Sequence, residues 1–126
     1  MRKRLSELEQ KLMRLLWARP DSTVTACRDA LAKSAKPLRE TTVRTLLQRL
    51  EKKGYVTHSA DGRTYLYKAA TPKKTVAAEA VRQIIDRFCE GSLEELLVGM
   101  VENEIVDQKE LEALARKIAA KRQKKP

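Results

Sequence analysis

The stretch RETTVRTLLQRLEKKGYVTHSADGRTYLYKAA, residues 39–70, changes its period halfway along, and that change decides the fold. Val43, Leu46, Leu47 and Leu50 recur at three- and four-residue intervals, the spacing of one buried helix face. Lys52 and Lys53 suit the negative end of a helix, and Gly54 stands where left-handed backbone would close it. A helix is therefore predicted from roughly Glu40 to Lys53. Beyond Gly54 the period falls to two. YVTHS and TYLYK are rich in β-branched and aromatic residues and flank Ala60-Asp61-Gly62-Arg63, where Asp-Gly is a strong hairpin signal. A two-stranded hairpin is marginal in water, so Val56, Leu66 and one or more of Tyr55, Tyr65 and Tyr67 are expected to lean on helices.

Working back from this stretch, two more helices precede it. In LSELEQKLMRLLW, Leu8, Leu12, Leu15 and Leu16 form a helical stripe, and Ser6 with Glu9 makes a capping box, giving a helix from about Glu7 to Ala18. After the turn signal Arg19-Pro20-Asp21, Val24, Cys27 and Leu31 mark a short second helix that gives out near Lys36-Pro37. Three helices followed by a hairpin describe a winged helix-turn-helix, so the chain is expected to be mainly α, with a DNA-binding domain over residues 1–70.

The function argument rests on the side of the third helix that the core does not use. Thr41, Thr42, Arg44, Thr45, Gln48 and Arg49 lie there, and no acidic residue falls between Thr41 and Leu50. Threonine methyls suit the thymine 5-methyl group, hydroxyls bond base edges or phosphates, and Arg or Gln reaches base edges in a bidentate manner. Arg63 at the hairpin turn, with Lys33, Lys36 and Arg39 ahead of the helix, reads as a set of phosphate contacts. The alternative is a charged face that only keeps the protein soluble.

Charge supports the first reading. The 126 residues carry 27 Lys+Arg against 17 Asp+Glu, a formal net charge of +10, while 42% of the chain is apolar; it is too hydrophobic for a disordered basic tail and too short for a large multidomain enzyme. Residues 1–70 hold 16 of the basic and 7 of the acidic side chains, so the anion-seeking half is the N-terminal one.

Thr71-Pro72 marks the boundary, with Thr71 placed to cap a helix that begins at Pro72. Residues 71–126 then read as a helical dimerisation domain with a basic C-terminal tail. Ala77, Ala80, Val81, Ile84, Ile85 and Phe88 make one stripe, closing near Gly91. Ser92 with Glu95 caps a second helix carrying Leu93, Leu96, Leu97 and Met100; Asp107 with Glu110 starts a third, carrying Leu111, Leu114, Ala115 and Ile118. Three short amphipathic helices cannot bury their stripes alone, and stacking two copies about a two-fold axis solves this. Packing back onto the chain's own winged domain is the alternative.

Other chemistry is thin. Cys27 and Cys89 fall on or beside apolar stripes and read as core residues rather than metal ligands, and His58 reads as a phosphate contact or an exposed side chain. There is no glycine-rich phosphate loop, no HExxH motif and no paired carboxylates in the basic half, so neither catalytic residues nor a metal or cofactor is expected. With no long apolar run and no secretory core at its charged start, the chain is expected to be cytoplasmic, without membrane insertion.

The runs TTVRTLLQRLEKKGYV and DGRTYLYKA, at this spacing from LSELEQKLMRLLW with its terminal Trp17, resemble the penicillinase repressor family of winged-helix transcriptional regulators. The match is close over residues 5–70 and looser beyond. The resemblance implies a homodimeric repressor on a palindromic operator, controlling antibiotic response genes, with Thr42, Arg44 and Thr45 entering the groove. In family members of the penicillin-resistance type, a membrane sensor-protease cuts the dimerisation region, usually between Asn and Phe; here Gly99-Met100 stands at the matching point. A copper-responsive branch carries paired cysteines near its C-terminus, and residues 91–126 have none. Two other classes remain open at this point: a nonspecific architectural nucleic-acid-binding protein, and a protein-interaction module built on the acidic helices.

Overall fold

Helix α1 (Glu7–Ala18) begins where its cap sits, with the Ser6 side chain accepting from the Glu9 backbone N–H while Glu9 accepts from the Ser6 N–H. The computed structural model describes residues 4–33 and 36–123. Thr23 caps α2 (Val24–Ala32) by accepting from Ala26 N–H at 3.0 Å. The connection from α2 to the next helix includes residues 34 and 35, outside the described residues.

Helix α3 (Glu40–Lys52) ends as its sequence requires. Gly54 adopts φ +86°, the Gly54 N–H donates to Glu51 O and the Tyr55 N–H donates to Leu50 O. This is a Schellman closure, in which both Tyr55 and Leu50 are buried. The chain then pairs β1 (Val56–Asp61) antiparallel with β2 (Thr64–Ala69), in a register running from Val56 opposite Ala69 to Asp61 opposite Thr64. The four-residue linker read from the sequence shrinks to a two-residue turn, Gly62-Arg63. Only Gly62 has positive φ, the sign pattern of a type II′ turn.

The core of this unit joins Leu12, Met13 and Leu16 of α1, Val24, Cys27 and Leu31 of α2, and Val43, Leu46, Leu47 and Leu50 of α3 to Tyr55, Val56 and Tyr67. Leu8 and Leu15 pack at its edge. Of the hairpin residues expected to lean inward, Leu66 is absent from this cluster and Tyr65 is 50% exposed. Strand alternation puts Leu66 on the opposite face from Tyr67, so the two cannot both enter one core. The linker between α1 and α2 adds a bridge that the sequence does not announce. Ser22 N–H donates to Tyr67 O at 3.0 Å and Tyr67 N–H to Ser22 O at 2.8 Å, which fixes the wing to the start of α2.

Helix α4 (Lys73–Phe88) follows, then α5 (Leu93–Glu102) and α6 (Gln108–Gln123). The chain divides into two compact units between Ala80 and Val81, inside α4 rather than ahead of it at Thr71-Pro72. The first turns of α4 go with the winged unit because Val76 packs on its core. The Thr71 hydroxyl donates to Gly54 O at 3.0 Å, and its carbonyl accepts from Trp17 Nε1–H at 2.9 Å, which ties the segment ahead of α4 to the closure of α3 and to the end of α1. Ser92 and Asp107 cap as expected, accepting from Glu95 N–H at 3.1 Å and Glu110 N–H at 2.7 Å. The final residues of the basic tail, 124–126, lie outside the described residues.

Candidate nucleic-acid interface

Because Val43, Leu46, Leu47 and Leu50 turn into the core, the helix period puts Thr41, Thr42, Arg44, Thr45, Gln48 and Arg49 on the other side of α3, and all six are exposed. Among the described residues, none of the side chains of Arg44, Gln48 and Arg49 makes a hydrogen bond or ion pair, so their long polar heads are available to a ligand. Thr45, Gln48, Arg49, Glu51 and Lys52 line an open depression along this side.

The acids at the two ends of this face are tied down. Glu40, in the first turn, accepts from the Thr25 hydroxyl and lies 3.8 Å from Arg28 Nη1, so α2 neutralises it and is braced against α3. Glu51, one turn beyond Gln48, is held by His58 Nδ1 from β1. His58 stacks on Tyr65 with ring centroids 4.3 Å apart, so it is not a plain exposed side chain. It joins β1 to α3 through the Glu51 carboxylate and to β2 through the Tyr65 ring, an arrangement invisible at sequence level because its three members come from three different elements. Tyr67 lies edge-on to Tyr65 at 6.4 Å, and burial, together with nearby Glu51, pushes its hydroxyl pKa up.

Arg63 is exposed at the hairpin turn, and Lys33, Lys36 and Arg39 are exposed between α2 and α3. Arg39 occupies the N-cap position of α3; its guanidinium has donors only, so it cannot cap the helix's first N–H groups and makes no side-chain capping bond. The arrangement offers a central helix of short hydroxyls and long basic or amide groups, flanked by cations on two loops. It can supply base-edge contacts from the helix and phosphate contacts from its borders.

Cys27 is buried, and burial pushes its thiol pKa up to about 11, so it is a core residue with little thiolate character. Cys89 is half-buried and belongs to no core cluster. Among the described residues no three His, Cys, Asp or Glu side chains converge to hold a metal ion, and no helix is long and apolar enough to cross a membrane.

In the second unit the expected dimerisation residues separate into three groups. Val81, Ile84, Phe88, Leu93, Leu114 and Ile118 are exposed, Phe88 by 78%, as are Val98 and Ile105, which the sequence reading did not single out. Leu96, Leu97, Met100 and Leu111 are half-covered. Ile85 alone is buried within a single chain and is not offered to a partner.

Comparison with known proteins agrees with this geometry. The family model described as penicillinase repressor matches residues 5–120. The transcriptional regulator BlaI of Mycobacterium tuberculosis (strain H37Rv) is 36% identical over 118 residues, covering 92% of this chain and 83% of the relative. The methicillin resistance regulatory protein MecI of Staphylococcus aureus (strain N315) is 25% identical over 110 residues, covering 87% and 89%. Among solved structures, the DNA-binding domain of the repressor BlaI superposes with a TM-score of 0.50 at 27% identity, over 58% of this chain and 90% of that one. Apo MarR of Escherichia coli, at 14% identity, shares the fold with a TM-score of 0.51 over 92% of this chain and 77% of its own. A match along nearly the whole chain, joined to a winged helix whose outer face is free, has one reading: the chain belongs to the penicillinase repressor family.

Proposed function

We propose that this protein is a dimeric, sequence-specific DNA-binding repressor that occupies an operator with two-fold symmetry, α3 entering the major groove and the Gly62-Arg63 turn reaching the adjacent backbone. The observation that carries this reading is the outer face of α3: six exposed side chains from Thr41 to Arg49, no acid among them, and the bordering carboxylates of Glu40 and Glu51 already engaged. The relatives bear the names of a methicillin resistance regulator and a penicillinase repressor, which supports β-lactam response genes as the class under control.

The second copy is supported by the apolar side chains of residues 81–118 that one chain leaves in water. Soluble monomers rarely keep so many large apolar groups exposed together. Two copies related by a two-fold axis would bury them and set two recognition helices on successive half-sites.

A membrane sensor-protease is the third proposed partner, by family resemblance. Gly99 and Met100 lie inside α5, and Gly99 O accepts from both the Asn103 N–H and the Asn103 side chain. A protease needs extended backbone, so release by cutting there requires α5 to unwind first.

The test is competition in a gel-shift assay on the DNA upstream of the protein's own gene. A specific complex should survive excess unrelated duplex, since specific sites hold by about 10³-fold or more over random DNA. Equal competition by random duplex would replace this reading with nonspecific nucleic-acid binding.

A further inference from the structure

We propose that Thr45 reads a thymine through its methyl group, not its hydroxyl, and so sets a preference for a T·A pair at one position of each half-site. The proposal rests on the DNA-binding reading above and deepens it. Thr45 Oγ1 donates to Thr41 O at 3.0 Å, the backward bond to the carbonyl one turn earlier that a helical threonine can make. The hydroxyl has one proton, and that proton is committed to the helix's own backbone. The tetrahedral Cβ carries only one other heavy substituent, so folding Oγ1 against the helix leaves the Cγ2 methyl as the group turned outward.

Thr45 is exposed, and it sits among residues with long polar reach, Arg44, Gln48 and Arg49. The result is a methyl-sized apolar spot among polar groups. Thr41 and Thr42 differ. Among the described residues their hydroxyls have no partner, so they keep a proton for phosphates or base acceptors. Three threonines that look equivalent in the sequence are thus divided by one hydrogen bond into two with an uncommitted hydroxyl proton and one without.

Of the four natural base-pair edges in the major groove, only thymine presents a methyl group, at C5. A methyl meeting a methyl there excludes water from both. The contact is worth about one buried methylene, which corresponds to about a fourfold change in affinity per half-site. Uracil lacks the 5-methyl group and is otherwise identical to thymine on its pairing edge, so it tests this contact and no other.

The experiment uses the full-length protein and its footprinted operator, with each thymine replaced in turn by deoxyuridine in both half-sites. Dissociation constants are measured for wild type, Thr45→Val, Thr45→Ser and Thr42→Val, after thermal melting has confirmed that each variant folds. At one thymine, deoxyuridine should weaken wild type and Thr45→Val by about fourfold per half-site. Thr45→Ser should start weaker by a similar factor and ignore the replacement. Thr42→Val, in contrast, should lose affinity whichever base is present. Should Thr45→Val lose operator binding while Thr45→Ser keeps it, the hydroxyl is the reading group and the proposal is overturned. It falls equally if no thymine separates Thr45→Ser from wild type while the specific complex itself is intact. If wild type shows no preference for any duplex, the DNA-binding reading has failed first and takes this one with it.

Discussion

Lys53 Nζ lies 2.8 Å from Glu9 Oε1 and 2.9 Å from Glu9 Oε2, tying the C-terminal cap of α3 to the first turn of α1. Glu9 is only 3% exposed. Burial pushes its carboxyl pKa up, but the hydrogen bonds from Lys53 and Ser6 and the charge of Lys53 outweigh burial and hold it below the ordinary glutamate value.

That direction fixes a pH dependence. A carboxyl whose pKa is depressed by folding contributes stability above its unfolded pKa and loses it as pH falls through the folded one. Lys53→Met leaves the buried Glu9 charge unpaired and should cost about 3 kcal/mol at neutral pH. As pH falls below the ordinary glutamate range and through the lowered folded pKa, Glu9 takes up a proton and the gap between variant and wild type should narrow. Urea denaturation at neutral and at acid pH checks this. A gap of equal size at the two would mean that lost packing of the lysine stem, and not charge, explains the effect.

Gly54 closes α3 with φ +86°, and a Cβ there would meet nothing within 4 Å. The strain of a left-handed alanine is then the whole cost. Gly54→Ala should destabilise the winged unit by about 1–2 kcal/mol without altering its packing. Thermal melting reads the loss. An unchanged melting temperature would show that the Schellman closure contributes little.

The outer face of α3 and the wing should divide their work. Arg44→Ala should weaken operator binding by about 1–3 kcal/mol and leave nonspecific binding nearly intact. Arg63→Ala should weaken both and reduce the slope of log affinity against log salt by about 1. Titrations at several salt concentrations, on operator and on random duplex, distinguish the two. Equal losses on both duplexes for Arg44→Ala would remove it from base readout.

Phe88 is the most exposed large apolar residue of the second unit. Replacing it with serine costs a single chain almost nothing, yet should remove an interface anchor worth about 2 kcal/mol, a shift in dimer dissociation of about thirtyfold. Analytical ultracentrifugation across a concentration series measures that shift. If wild type is already monomeric at micromolar concentration, the symmetric operator reading loses its basis.

What was legible in the sequence was legible for local reasons. Helix starts at Ser6, Ser92 and Asp107, the stop at Gly54 and the Asp-Gly turn each depend on residues within a few positions of one another. The core of α3 could be read because burial recurs at the helix period, and its outer face followed by subtraction. The first helix was read less well. Its buried side includes Met13 and Glu9 in addition to Leu12 and Leu16, because the distant Lys53 makes a carboxylate tolerable there.

The amino-acid order by itself determined the three helices, the wing, the charge imbalance between the halves and the polar, acid-free face that α3 turns to solvent. Each of these follows from periodicity and capping, which act over one or two turns of chain. Only the tertiary structure decided that His58 holds Glu51 and stacks on Tyr65, that Ser22 pairs with Tyr67, that Thr71 bonds Gly54 and Trp17, and that Ile85 is covered while Phe88 is not. Those outcomes join residues 7 to 54 positions apart or depend on what surrounds a side chain. No local pattern specifies them, because strand register and packing choose the partners.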